Sequence, residues 1–553
     1  MGRRGRMWTW CIALVAACTG SDEGGYAPPP VAGATSGESG TVLTVGSGTI
    51  DPPPDPCAPD AADSGDAMDE SGGDDGFKFD VGGPEGSVGF SLTCDDVADA
   101  PSNLGCTFWA VDLPNDERGT PMSPPAAVQP FAVVVANVSA LGQAHVDVFI
   151  GVDEEPVASV TVDPLETHLF DLGEASISAM ASSSDGIAFR VESDVPIAAY
   201  QFNPAANLVE VYSNDASLLL PENALGMDYT AATADGILLA MGPDDTMPVN
   251  AGAFVSVVAT ADDTVVEFMP TATLVGDIGA SSVDLDRGEV ATIISDSQTS
   301  GGGNLSGARV HANKPVAVFA GNVATAIPAN STVCCADHLE HQLLPATAWG
   351  NAYAVAPPPA PTGSGDARAF YRILAGTEGA EFQWCPTRPN AAPESLGDGE
   401  GTWFSTDAAF TVESLGEGES FTITQFTLSN TELGTSGLGD PAMIVLPPVG
   451  QHEQRSLFAV PEGYRGNWAT VVVRGAGEVR LDGEAIDASL FDEVGTIGGA
   501  MHRYVHIELP AGTHALEAEA PAGVTVIGVD EAVGYGFAGA SGVRALSLPP
   551  AAG

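Results

Sequence analysis

The sequence predicts an all-β protein of tandem β-sandwich-like modules with internal repeats; blades of one closed β-propeller are the alternative arrangement. Three observations carry this expectation. Residues 190–203 (RVESDVPIAAYQFN) and 309–322 (RVHANKPVAVFAGN) align at a constant offset of 119, which sets Pro196, Tyr200 and Asn203 on Pro315, Phe319 and Asn322. Downstream, Leu220-Pro221, Gly226 and Tyr229 align with Leu344-Pro345, Gly350 and Tyr353 at an offset of 124. A near-constant offset over such stretches, with alternating apolar positions, is the mark of duplicated β units. Second, VVATADDTVVEF (257–268) matches ILAGTEGAEFQW (373–384) at an offset of 116, with a later copy at VVVRGAGEVRLDG (471–483). Each reads as a hairpin turning at Ala261-Asp262-Asp263, Thr377-Glu378-Gly379 or Gly475-Ala476-Gly477. Third, short runs rich in Val, Ile and Phe (Val133–Val135, His145–Ile150, Val157–Val162, Ile187–Val191) are punctuated by Gly, Pro, Asn and Asp, and the 3.6-residue helical period is lacking.

Taken from the N-terminus, residues 1–17 read as an export signal. Arg3, Arg4 and Arg6 precede a short apolar stretch, Met7–Ala17, too short to span a bilayer as a mature helix. Leu14-Val15-Ala16-Ala17-Cys18 resembles a lipobox. That resemblance implies cleavage before Cys18 and acylation of its thiol, with several chains anchoring stably where one would be marginal. Thr19 rather than Asp follows Cys18, which favours sorting to a bacterial outer membrane. The expected localisation is therefore lipid-anchored at that membrane, surface-exposed or periplasm-facing.

Residues 18–76 read as a disordered acidic tether, rich in Gly, Pro, Ser and Asp, with stiff points at Pro28–Pro30 and Pro52–Pro54. Such a segment buries too little apolar surface to offset the entropy of ordering. Four modules are expected after it, at 77–250 (including the Cys94/Cys106 segment), 251–366, 367–460 and 461–553. Pro196 and Pro315 are read as lying just before strands, where a missing N–H is tolerated, and Asn203 and Asn322 as ending those strands. Tyr200 and Phe319 should be equivalent buried positions. Asp337–Leu344 is read as a short helix or turn. Trp109, Trp349, Trp384 and Trp403 are expected in module cores.

Two stretches resemble a known family. One is PVAVFAGN (315–322), followed by Asp337-His338-Leu339-Glu340-His341-Gln342-Leu343-Leu344-Pro345 and Trp349-Gly350. The other is PIAAYQFNP (196–204, with Tyr200, Gln201 and Asn203), followed by Asp215–Pro221. Together they look like the IgGFc-binding protein N-terminal domain family, over about 105–541. Cys106–Leu113 and Gly534–Phe537 fit as well. The chain departs from the animal pattern at His341-Gln342, where that pattern has Glu-Gln, and at Cys334-Cys335-Ala336, where it has one Cys directly before Asp-His. The resemblance implies an extracellular recognition or matrix module.

Cysteine and charge bound the chemistry. After cleavage and acylation six thiols remain, and export permits disulfides. Cys94 and Cys106 enclose a short loop and are expected to pair. Cys385, at a hairpin end, is expected to pair with Cys334 or Cys335. Cys57 is the candidate odd thiol, and 15 connectivities stay formally open. Cys334, Cys335, Asp337, His338 and His341 offer metal-ligand types within eight residues, but without C-x-x-C or H-E-x-x-H spacing. A structural reading is preferred, and no metal or cofactor is expected. No nucleophile elbow or Walker loop occurs, so no catalytic residue is nominated. The net charge is −55 with only two Lys (Lys78 and Lys314), which excludes nucleic acid as a partner. The favoured function is a non-enzymatic binding or adhesion protein with an extracellular protein or glycan ligand. A hydrolase with a site at a module interface and a structural envelope spacer are the alternatives.

Overall fold

The computed structural model describes residues 57–58 and 92–547, apart from 119–124, 174–176, 205–212, 240–248, 277–281, 299–302, 330–335, 361–366, 431 and 434–437. The export signal, nearly all of the tether, and Cys334 and Cys335 thus lie outside the described residues. Those described are nearly all β, with one five-residue helix, Cys94–Ala98, and short 3-10 turns.

One seven-strand unit occurs four times, each organised around a long strand that serves two sheets. In the first unit the long strand is Phe189–Asn203. Its first half pairs with Gly105–Ala110 and Ala144–Ile150, and its second half with Ala132–Asn137 and Asp215–Leu218. Ala158–Val162 edges the first sheet and Thr167–Asp171 the second. In the second unit Arg309–Thr325 pairs in the same order with Gly226–Thr230, Thr264–Met269, Ala253–Ala259 and Asp337–Gln342. The third unit splits its long strand into Phe410–Ser414, paired with Ala352–Val355 and Ala380–Cys385, and Phe421–Phe426, paired with Ala369–Ala375 and Met443–Val445. The fourth uses Gly512–Asp530, with Glu453–Val460, Val479–Leu481, Gly466–Arg474 and Val533–Ala540. The two half-sheets face one another over an apolar core, as in a β-sandwich.

This plan explains several departures from the sequence expectations. Pro196 and Pro315 lie inside continuous strands, as does Pro521. They sit where the long strand passes from one sheet to the other and the pairing register breaks. A residue without an N–H is tolerated where the ladder offers it no partner. The three expected hairpins are arches: Ala253–Ala259 pairs with Glu289–Ile294 and the long strand, never with Thr264–Met269. Asp337–Gln342 is a strand, not a helix or turn. The strand that opens each later unit (Gly226–Thr230, Ala352–Val355, Glu453–Val460) lies upstream of the expected boundaries at 251, 367 and 461.

Tyr200 and Phe319 are equivalent. Tyr200 lies opposite Val134 and Leu218, Phe319 opposite Ser256 and Gln342, and both are fully buried. Ile197 and Ala199 point into the core of the first sandwich, while Ala198, Tyr200 and Phe202 point out of it. That outward face is buried too, because it packs on the fourth sandwich: Tyr200 and Phe202 meet Tyr535 and Phe537 at ring-centroid distances of 4.8–6.4 Å. Each such ring contributes about 1.5–3 kcal/mol of burial.

The same arrangement runs round the molecule. Each of the four large apolar clusters combines the core of one sandwich with residues of the next, joining one to two, two to three, three to four and four to one. The modules therefore close into a ring. The seam is fastened where residues 101–103 meet residues 541–543: Asn103 N–H donates to the Ser541 carbonyl (2.9 Å), Ser541 N–H to Asn103 Oδ1 (3.1 Å), and Val543 N–H to the Pro101 carbonyl (2.9 Å). Between modules a Gly–Pro contact recurs. A Cβ on Gly226 or Gly350 would lie 2.5 Å from Pro345 or Pro448, and Gly105 is crowded still more closely by Pro221. Only glycine permits that approach.

Two disulfides are present among the described residues. Cys94 pairs with Cys106, as expected. Cys385 pairs with Cys57, not with Cys334 or Cys335, with Cα atoms 5.4 Å apart. The third sandwich places the end of Ala380–Cys385 where the upstream segment passes, and the Cys57 sulfur also lies 3.5 Å from the Trp384 carbonyl. Trp109, Trp349 and Trp384 are buried. Trp403, by contrast, is half-buried beneath the Arg372 guanidinium, 4.9 Å from its ring.

Candidate functional site

The four strands that follow the long strands (Asp215–Leu218, Asp337–Gln342, Met443–Val445, Val533–Ala540) line the axis of the ring, and each packs on the next. Asp215 is the hub. Its Oδ1 accepts from Ala216 N–H (2.9 Å) and Gly536 N–H (3.2 Å); its Oδ2 accepts from Glu340 N–H (3.2 Å) and Met443 N–H (3.0 Å). One carboxyl of the first module thus receives a backbone donor from every module.

Further hydrogen bonds cross the borders. Asp337 Oδ1 accepts from Asn214 N–H at 2.6 Å. Gln342 Oε1 accepts from Leu220 N–H at 2.7 Å, and Ser217 Oγ accepts from Gln342 N–H at 2.7 Å. Gln201 Nε2 donates to Glu340 and to the Val111 carbonyl, whose own N–H returns to Gln201 Oε1. Tyr200 OH donates to the Gly539 carbonyl at 3.0 Å. The side chains of Asn203 and Asn322 hold upstream segments: Asn203 Nδ2 donates to the Leu113 carbonyl and Asn322 Nδ2 to that of Ala234. Asn322 also lies inside its strand and does not end it.

Of the other motif residues, Leu339 packs in the second core, Pro345 starts a 3-10 turn, and Trp349 and Gly350 follow that turn at the second-to-third border. Sequence reasoning did not single out Asp215 or Glu340. The available signal was an acid at the start of a run leading to Leu-Pro: Asp215, Asp337 and Asp440, each six to eight residues before Pro221, Pro345 and Pro447.

Burial sets the charge states. Asp215, Asp337 and Glu340 are pushed well above the usual carboxyl range by desolvation, against the pull of their N–H and amide donors. Desolvation lowers His338 to about 3 and His341 to about 4. The contact between His338 Nε2 and Glu340 Oε2 at 3.3 Å is therefore a hydrogen bond of an uncharged imidazole, not an ion pair. His338 also stacks on Phe254.

A pH dependence follows. The folded protein holds both imidazoles neutral, while the unfolded chain protonates them near pH 6.5. Their contribution is fully present above about 6.5 and is lost as pH falls toward 4. The raised carboxyls of Asp215, Asp337 and Glu340 act in the opposite sense, so the comparison is between variants: relative to His341→Gln, the urea midpoint of the native protein should fall between pH 7 and pH 4.5. A difference between the two proteins that stays constant over this range would contradict the assignment.

Chemically, this centre is a closed fastening. Its side chains are buried, and the two best-formed cavities, about 20 and 30 Å³ at the border of modules three and four, have room for about one or two waters. Among the described residues, no group of three or more His, Cys, Asp or Glu is placed to hold a metal ion, and no helix is long and apolar enough to cross a membrane.

A closed ring of β-sandwich modules, with its polar centre sealed inside, defines a scaffold whose contacts with other molecules must be made on its outside. The chain belongs to the IgGFc-binding protein family, whose model matches residues 215–528. This family is not a known enzyme family. Human IgGFc-binding protein is 24% identical over 424 residues, covering 74% of this chain. The chain spans only 7% of that relative's length. Among solved structures, an anti-sigma factor domain-containing protein from Clostridium clariflavum has 10% identity, covers 71% of this chain and 99% of its own, and reaches a TM-score of 0.10, too low to support any argument.

Proposed function

We propose that this chain is a non-enzymatic binding or adhesion protein held at a bacterial outer membrane by acylated Cys18, with the ring displayed beyond the membrane on the acidic segment 19–76. The observation that carries the reading is the sealed centre, which leaves the outer surface as the place for recognition. The strongly acidic charge favours partners with basic surfaces, and an extracellular protein or glycan is the expected ligand class.

Anchoring and binding are tested separately. Cys18→Ser should abolish labelling by a radioactive fatty acid and release the protein from the membrane fraction. Unchanged fractionation of that variant would remove the anchor from the proposal. For binding, immobilised full-length protein is incubated with envelope and matrix extracts. Retention of no component above an inactive-resin control would remove the binding reading.

A further inference from the structure

The first module carries an open sheet edge that is uncharged along its length. Ala158–Val162 pairs on one side only, with Ala144–Val148. From Val157 to Val162 it carries no charge, in a chain whose net charge is −55. Ala158, Val160 and Val162 turn toward the core, while Val157, Ser159 and Thr161 are exposed. A row of unpaired N–H and C=O groups is a template for another strand, and proteins normally protect such edges with charge, brevity or a covering element.

Most of the other described edges are protected in those ways. Thr167–Asp171 carries Asp171, and Ser282–Leu285 carries Asp284. Ser395–Leu396 and Glu484–Ala485 are two residues long. Gly401–Thr406 is uncharged, but none of its residues is exposed. In modules two and four the corresponding edges are covered by added antiparallel strands, Ser183–Ile187 and Asp492–Ile497. The first of these crosses from module one, so strand addition between units already operates in this fold.

An apolar patch continues the open edge. Ile150, Val152, Val157 and Ile187 are 41–56% exposed. Gly151 N–H donates to the Ala188 carbonyl, which sets the Ile150–Val152 turn beside Ile187, and a Cβ on Gly151 would lie 3.1 Å from the Ile187 side chain; Val157 follows at the start of the edge strand. Of the fourteen large apolar side chains exposed among the described residues, eight belong to module one. All are aliphatic or Met, which suits an extended polypeptide; a sugar ring calls for an aromatic platform. Exposed Asp153, Glu154 and Glu155 rim the patch.

We propose that Val157–Val162 and the Ile150/Val152/Val157/Ile187 patch form a docking site for an extended polypeptide segment of alternating apolar residues flanked by basic ones, added antiparallel to the edge. The backbone ladder supplies affinity, the patch takes the apolar side chains, and the acidic rim selects the flanks. Five residues of edge span about 17 Å, so the recognised core is about five or six residues. This inference rests on the binding reading and names the place and partner class for it.

The test uses the full-length protein and a fluorescent twelve-residue peptide of alternating Val and Thr with two Lys at each end. Saturable binding is expected by polarisation. The double variant Val157→Lys/Thr161→Lys should weaken it at least tenfold, with an unchanged melting temperature showing that the fold is intact. Leu490→Lys, at an exposed apolar position of module four, should leave binding unchanged. The same peptide N-methylated at alternate residues should fail to bind. Binding that survives the double variant or the N-methylation, or no peptide binding at all, overturns the proposed site. Retention of envelope or matrix components by the same resin would then leave the broader binding reading standing, so the two failures are distinguishable.

Discussion

Asp215→Ala should destabilise the folded ring by about 3–5 kcal/mol, the largest effect expected of any single substitution here. Removing the carboxyl strands four buried backbone donors, those of Ala216, Glu340, Met443 and Gly536. Each buried donor without a partner costs about 1–3 kcal/mol, partly offset because the desolvation cost of the carboxyl disappears with it. Asp215→Asn keeps one acceptor oxygen but presents an NH2 to two N–H donors, so an intermediate loss is expected. Because the four donors come from four modules, the loss should lower the unfolding midpoint of the whole ring. Urea unfolding followed by fluorescence checks this. A midpoint corresponding to a loss under about 1 kcal/mol for Asp215→Ala would show that the hub does not hold the ring.

Cys385→Ser is expected to cost about 2–4 kcal/mol, because the bond it removes closes a loop with a sequence separation of 328 in the unfolded chain. Non-reducing peptide maps should contain a Cys57–Cys385 cross-linked peptide and a Cys94–Cys106 one. A map that links Cys385 to Cys334 or Cys335 would refute the structure's pairing. So would a melting temperature for Cys385→Ser equal to that of the native protein under oxidising conditions.

The repeats were legible because the long strands keep the same alternation in each copy. The faces of Ile197, Ala199, Tyr200 and Phe319 could be assigned from period two alone. What that pattern could not show was that both faces are buried, because the second is covered only when the ring closes. The strand Asp337–Gln342 was misread for the same reason. Its Asp, His, Glu and Gln break the apolar pattern expected of a buried strand, and their burial depends on partners in another module, Asn214 and Gln201 for example. The opening strand Gly226–Thr230 was missed because it is short and carries only a weak apolar pattern. The Cys57–Cys385 pairing was hidden because proximity across 328 residues is a tertiary fact. The hub acid Asp215 lay within a quoted motif, but nothing local distinguishes a carboxyl that accepts four backbone donors from one exposed to water.

The position of the Cys57–Cys385 bond also settles how mechanical load would enter the molecule. A pull on the chain N-terminal to Cys57 passes through the sulfurs into the strand Ala380–Cys385 before it reaches residues 92–103. That strand is laced along its length to Phe410–Ser414, so the force meets several ladder bonds acting in parallel. The seam at residues 101–103 and 541–543, which a direct pull would peel open one bond at a time, stays slack. A protein tethered at its N-terminus in moving fluid would thus be loaded through the side of its third module while its ring remained shut.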